Sequence, residues 1–140
     1  MSGSTASKTP LGGARIVSLL LPPLAVMGAI FFLSAQPSGG DHGVIDLLLR
    51  KLGHITEYAV LTLCWWRALR GLGVTRDNRS AVALGVAIAL AFSASDEFHQ
   101  TFVDGRHGTP VDVLIDAIGM TFAAAYARRR SLGPSRPSAA

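Results

Sequence analysis

Four apolar stretches, separated by short polar segments, give the sequence its main pattern. The first covers residues 16–34 without a charged side chain, and as an α-helix it is about 28 Å long, enough to cross a bilayer. The others cover about residues 51–69, 81–100 and 112–127, and each carries ionisable groups near one end. The pattern therefore predicts an all-α fold, a bundle of four transmembrane helices within residues 16–127.

Charged residues are distributed unequally between the two sides of this bundle. Of the 13 Lys and Arg residues, all but Arg50, Lys51 and Arg106 lie in the N-terminal segment, in the loop between the second and third spans with its flank at Arg67, or in the C-terminal segment. Basic residues are enriched on the cytoplasmic side of membrane proteins, so both termini are expected in the cytoplasm. Residues 1–15 and 128–140 are expected to be disordered tails there. The predicted location is the bacterial plasma membrane.

The composition excludes several classes of protein. Charged residues make up 16% of the chain and hydrophobic residues 49%, whereas about a quarter of an ordinary soluble domain is charged. The net charge is +4, but the Lys and Arg residues lie at the edges of the apolar stretches and form no basic stripe of the kind that binds a nucleic acid. No nucleic-acid partner is therefore expected. A single cysteine, Cys64, excludes an internal disulfide and a multi-cysteine zinc site. The pattern assigns no cofactor and no metal site.

Polar side chains cluster near the outward ends of the last three spans. Within each span they recur at three- or four-residue spacings, which places them on one side of the helix. Helices joined by short loops usually pack as neighbours, so the polar faces are expected to meet in one outward pocket. A charge at the bilayer centre costs about 2.5–3.5 kcal/mol, which favours mutual contact over exposure to lipid. The candidate site residues are Lys51, His54, Glu57 and Tyr58 of the second span, Asp96, Glu97 and Gln100 of the third, Asp112 and Asp116 of the fourth, and Arg106 of the intervening loop.

Arg106 is the only basic residue apart from histidine in the loop between the third and fourth spans. Its guanidinium stays charged and presents a planar fork that suits a carboxylate. The acidic residues outnumber the basic ones around the expected pocket. We therefore expect Arg106 to fold back onto Asp96, Glu97 or Asp112 and to close the mouth of the pocket.

Three segments of the sequence resemble a known family. They are FFLSAQPS at the end of the first span, KLGHITEYAVL at the start of the second, and SDEFHQTFVDGRHGTPVDVLIDAIG across the third and fourth. Together they resemble the VanZ-like family of small bacterial membrane proteins over about residues 16–127. The resemblance points to Lys51, His54, Tyr58, Asp96, Glu97, Gln100, Gly105, Arg106, Asp112, Asp116 and Gly119. This chain departs from the family at Asp104, where proline is common.

The resemblance implies a function at the cell envelope. The founding member of the family is associated with resistance to the glycopeptide antibiotic teicoplanin, and no established reaction accompanies it. We expect the outward polar pocket to bind an envelope lipid, a lipid-linked cell-wall precursor or a lipoglycopeptide antibiotic, with membrane lipids as the general partners.

Two other interpretations of the polar residues stay open. In the first, the polar network only holds the bundle together, as a structural or assembly protein would require. In the second, the protein is a membrane-embedded enzyme, either metal-dependent or acid–base. His54 and Glu57 stand in HxxE spacing, and with Asp96, Glu97, His99 and Asp116 they offer enough groups for a divalent metal or an acid–base pair. No complete catalytic signature is present in the sequence, so binding is favoured over catalysis.

Overall fold

The computed structural model describes residues 12–37 and 43–130. These residues form four α-helices: α1 (Gly13–Ser34), α2 (Val44–Leu72), α3 (Asn78–Gln100) and α4 (Pro110–Arg130). The prediction of an all-α fold is confirmed. The expected tails lie largely outside the described residues.

The ends of the helices are set by local sequence signals. Asp77 caps α3, because its side chain accepts a hydrogen bond from the backbone N–H of Ser80 at 2.8 Å. That bond, with a second one from the Ser80 hydroxyl, lowers the pKa of Asp77. Gly73 ends α2 in the left-handed region at φ 68°, where a residue with a Cβ is strained. Thr109 precedes Pro110 at the start of α4, and its hydroxyl accepts a bond from the N–H of Asp112 at 3.2 Å.

The helices are longer than the apolar stretches suggested. Residues 13–15 and 128–130 were expected to belong to disordered tails. Instead, residues 13–15 form the start of α1 and residues 128–130 form the end of α4. Three consecutive arginines form the end of α4, and positive charge at a helix C-terminus stabilises the helix by interacting with its dipole. Arg130 also donates to the hydroxyl of Tyr126, one turn earlier, at 2.8 Å.

Three of the four helices are long and apolar enough to cross a membrane, namely α1, α3 and α4. α1 continues without interruption through Pro22 and Pro23, as membrane helices often do. α2 has 29 residues and is the longest helix, but polar and charged side chains occupy much of its first half. A fourth span along α2 and the cytoplasmic position of both termini therefore stay predictions.

α2 makes the most extensive contacts in the bundle, packing against α1, α3 and α4. The core around it contains Ile30, Tyr58, Leu61, Ala89 and Met120, all at most 2% exposed. Large apolar side chains instead cover much of the outer surface. Examples are Leu21, Phe32, Leu114 and Phe122, each more than half exposed. An outer surface of this kind suits contact with lipid.

Candidate polar pocket

The polar residues of α2, α3 and α4 converge at one end of the bundle, next to the last turn of α1. The convergence follows from helix direction: the first half of α2, the end of α3 and the start of α4 all lie at this end. Lys51 and His54 of α2 thus contact Asp112 and Asp116 of α4 directly. Glu97 of α3 contacts the segment that leads into α4.

Asp116 lies at the centre of the cluster and is fully buried. Its Oδ1 is 3.0 Å from Nδ1 of His54 on α2. Its Oδ2 accepts a hydrogen bond from the hydroxyl of Ser93 on α3 at 2.6 Å. One carboxylate of α4 is therefore tied to both neighbouring helices. A buried polar group left without its partner costs about 1–3 kcal/mol, and more when it is charged, so these contacts fix the relative position of three helices.

Asp96 connects α3 to α1. Its side chain is 1% exposed, and its Oδ1 accepts a hydrogen bond from the hydroxyl of Ser34 at 2.5 Å. Its other oxygen accepts from Nε2 of Gln100 at 3.0 Å. Sequence reasoning did not include Ser34 among the site residues. The signal was present nevertheless, because Ser34 belongs to the FFLSAQPS segment that carries part of the family resemblance.

Glu97 fixes the loop between α3 and α4. Its Oε2 accepts a hydrogen bond from the backbone N–H of Thr109 at 3.0 Å, and its Oε1 accepts from Gln100 at 3.3 Å. Gly108 allows this approach, because a Cβ at that position would overlap the backbone carbonyl of Glu97. Only glycine therefore lets the loop lie against the end of α3.

Lys51 and Asp112 form an ion pair between α2 and α4 at the outer part of the cluster. The hydroxyl of Thr109 also donates to Asp112, at 2.8 Å. Both partners are partly exposed, so this pair is more accessible than the buried carboxylates. Arg50, one residue before Lys51, pairs with Asp46 on its own helix at 3.0 Å.

Arg106 does not fold onto Asp96, Glu97 or Asp112, and the expectation that it would is wrong. Its Nε donates to the carbonyl oxygen of Gln36, and its Nη2 donates to that of Leu33, both at 3.0 Å. The last carbonyls of a helix lack partners within the helix, and they attract positive charge through the helix dipole. These carbonyls at the end of α1 thus compete successfully with the carboxylates for the guanidinium. Partial burial and, after it, the nearby guanidinium of Arg50 lower the pKa of Arg106, but arginine stays charged at physiological pH.

Two adjoining cavities open among these residues, with volumes of about 160 and 210 Å³. Arg50, His54 and Arg106 line both of them. The first cavity also reaches Glu57 and Asp96, and the second reaches Lys51, Gln100, His107 and Asp112. Guanidinium groups and carboxylates therefore both line the walls of these cavities.

Tyr58 lies one helical turn beyond His54, and its ring stacks against the imidazole with centroids 6.5 Å apart. Its side chain is fully buried, yet its hydroxyl has no hydrogen-bond partner within residues 12–37 and 43–130. A buried polar group without a partner costs about 1–3 kcal/mol. Because its ring stacks on His54, Tyr58 is a buried polar side chain beside the cluster whose hydroxyl no described residue satisfies.

The comparisons with known proteins agree with the resemblance in sequence. A family model described as VanZ/LLP1 matches residues 9–130, which include all four helices and every candidate site residue. No curated protein and no solved structure gives a significant match.

Proposed function

The chain belongs to the VanZ/LLP1 family, and from that premise we propose that it is a four-span membrane protein whose pocket binds the anionic head group of an envelope amphiphile. In the proposed topology both termini are cytoplasmic, and the pocket faces outward. The observation that carries the proposal is the shared lining of the two cavities by Arg50 and Arg106.

Two guanidinium groups at one opening favour an anion. Arginine binds phosphate and carboxylate groups through parallel hydrogen bonds, which are about twice as strong as bonds between neutral groups. Arg106 already uses Nε and Nη2 on the end of α1, which fixes its position beside the cavities. Arg50 is held by its contact with Asp46. Both side chains are therefore oriented before a ligand arrives, which lowers the entropic cost of binding.

An apolar region next to the cavities supports an amphiphile rather than a soluble anion. Ile30 and Leu33 line the first cavity, and Leu47 lines the second. Further apolar side chains of α2, including Leu48 and Leu49, are more than half exposed nearby. An acyl chain can lie along this surface while the head group occupies the pocket. A membrane lipid, a lipid-linked cell-wall precursor and a lipoglycopeptide such as teicoplanin all combine these two chemistries.

A binding measurement tests this proposal. The full-length chain in nanodiscs is titrated with short-chain phosphatidylglycerol and, separately, with teicoplanin. We expect binding by the parent and at least about tenfold weaker binding by Arg50→Gln and by Arg106→Gln, since each loses a charge-assisted hydrogen bond. Arg130→Gln is the matched control, because Arg130 lies at the opposite end of α4. If the parent binds neither amphiphile, or both pocket variants bind like the parent, the proposal is wrong.

A structural role is the second candidate, and a specific observation favours it. Asp96 accepts a hydrogen bond from Ser34, and Asp116 contacts Ser93 and His54. These contacts join all four helices, so the cluster stabilises the bundle whether or not a ligand binds. The two roles predict different outcomes for Arg50→Gln. A purely structural cluster leaves amphiphile binding unaffected by this change. If the cluster forms a binding pocket, Arg50→Gln weakens amphiphile binding while the midpoint of thermal unfolding stays unchanged.

A further inference from the structure

Three potential metal ligands from three helices meet at the inner side of the pocket. Each of three residues offers a ligand atom that lies within 4.8 Å of those of the other two. These residues are His54 of α2, Glu97 of α3 and Asp116 of α4. Ligands that bind one zinc ion at about 2.0–2.2 Å lie about 3.4 Å apart in a tetrahedron. The 3.0 Å between His54 Nδ1 and Asp116 Oδ1 already suits two ligands of one ion. A carboxylate oxygen of Glu97 lies within 4.8 Å of the ligand atoms of both of these residues.

The neighbouring hydrogen bonds hold these carboxylates as metal ligands are usually held. Ser93 donates to Oδ2 of Asp116, which leaves Oδ1 directed towards His54. The backbone N–H of Thr109 donates to Oε2 of Glu97. Such outer contacts orient the ligands of protein metal sites before the ion arrives. The arrangement therefore provides both the ligands and their supports.

Tyr58 provides an independent observation that points to a ligand. Its hydroxyl is buried beside the cluster and has no partner within the described residues, although buried polar groups in native proteins are nearly always hydrogen-bonded. The ring stacks on His54, so the two side chains share one side of α2. A metal-bound water would give this hydroxyl the partner it lacks.

The charges of the cluster also favour a cation. Asp96, Glu97 and Asp116 are each at most 5% exposed, and carboxylates this close together repel one another at low dielectric. The nearby basic groups have other contacts, because Lys51 pairs with Asp112 and Arg106 binds the end of α1. A divalent ion would offset this excess of negative charge.

We propose that His54, Glu97 and Asp116 bind a divalent transition-metal ion, Zn²⁺ or Mn²⁺. Imidazole nitrogen suits Zn²⁺ and carboxylate oxygen suits both ions, whereas Mg²⁺ and Ca²⁺ prefer sites built from oxygen alone. The Tyr58 hydroxyl acts as a positioning group through a water bound to the ion. This site goes beyond the function proposed above, because the ion binds whether or not an amphiphile enters the pocket.

Metal titration of the purified protein tests the site. The full-length chain in detergent, without an affinity tag, is stripped with a chelator and titrated with Zn²⁺ and, separately, with Mn²⁺. We expect one equivalent of metal bound to the parent, and X-ray absorption of the zinc form showing one nitrogen ligand with oxygen ligands. His54→Gln, Glu97→Gln and Asp116→Asn should each weaken binding at least tenfold. Tyr58→Phe should keep the stoichiometry and weaken binding about 10–100-fold, as the loss of an outer contact typically does.

His99→Gln is the matched control, because His99 lies two residues from Glu97 but its ring packs against Phe31, with centroids 4.3 Å apart. Thermal unfolding of each metal-free variant establishes that it folds, and if Asp116→Asn does not fold, Glu97→Gln decides the matter. A parent that binds neither ion overturns the proposal, as does unchanged binding in His54→Gln and Glu97→Gln. Because no amphiphile is added, this result is independent of the head-group proposal.

Discussion

Gly119 of α4 lies directly against the backbone carbonyl of Ile55 on α2, so closely that a Cβ at Gly119 would overlap the carbonyl oxygen. Ile55 follows His54, and Gly119 lies three residues after Asp116. The close approach of the two backbones is what allows the imidazole of one helix to reach the carboxylate of the other. Packing between helices and geometry in the pocket therefore depend on the same glycine.

Gly119→Ala should destabilise the protein and separate His54 from Asp116. The added methyl group meets α2 backbone rather than a flexible side chain, and overpacking of this kind typically costs about 1–3 kcal/mol. We expect a lower midpoint of thermal unfolding in detergent, followed by tryptophan fluorescence. Gly28→Ala on α1 is the control, because a Cβ there has no neighbour within 4 Å. Equal midpoints for the two variants would show that α4 can shift away without cost.

Ser34→Ala should weaken the connection between α1 and α3. The change leaves the buried carboxylate of Asp96 with one hydrogen-bond donor fewer, and an unsatisfied buried polar group costs about 1–3 kcal/mol. The free energy of unfolding in denaturant measures the loss. Ser18→Ala is the control on the same helix, because its hydroxyl is exposed and bonds only to the nearby carbonyl of Arg15. If both variants are as stable as the parent, the Ser34–Asp96 bond does not hold α1 in place.

Arg106→Lys should loosen the last turn of α1 although the charge is kept. A single ammonium group cannot reproduce the two hydrogen bonds that the guanidinium donates to Leu33 and Gln36. We expect faster hydrogen–deuterium exchange at the amides of Ala35 and Gln36, while exchange in the middle of α1 stays unchanged. The same change at Arg130, which bonds to its own helix, should leave α1 unaffected. Unaltered exchange at residues 35–36 would refute the capping role.

The sequence was sufficient to predict much of the fold, because apolar runs and polar spacings of three or four residues report directly on helices and their faces. It was also sufficient to predict that the polar faces carrying His54, Asp96 and Asp116 would meet. It was not sufficient to predict the partner of Arg106. Counting charges favoured a carboxylate, whereas the carbonyls of Leu33 and Gln36, at and just after the end of α1, are backbone groups that no residue type reveals. The unpartnered hydroxyl of Tyr58 likewise depends on three-dimensional packing.

The proposed orientation makes a prediction that does not depend on the ligand. Because basic residues are concentrated at the end of the bundle that carries Val74, that end should be cytoplasmic, and the end that carries Asp104 should face outward. Both residues lie in exposed loops, and neither side chain belongs to the pocket lining. In a Cys64→Ala background, cysteine at position 104 should react with a membrane-impermeant thiol reagent on intact cells, and cysteine at position 74 should react only after permeabilisation.

The Cys64→Ala protein without a new cysteine measures background labelling. Labelling of position 74 but not of position 104 on intact cells would reverse the orientation and place the pocket on the cytoplasmic side. Equal labelling of both positions on intact cells would contradict the four-span topology itself, since the two loops would then share one side of the membrane.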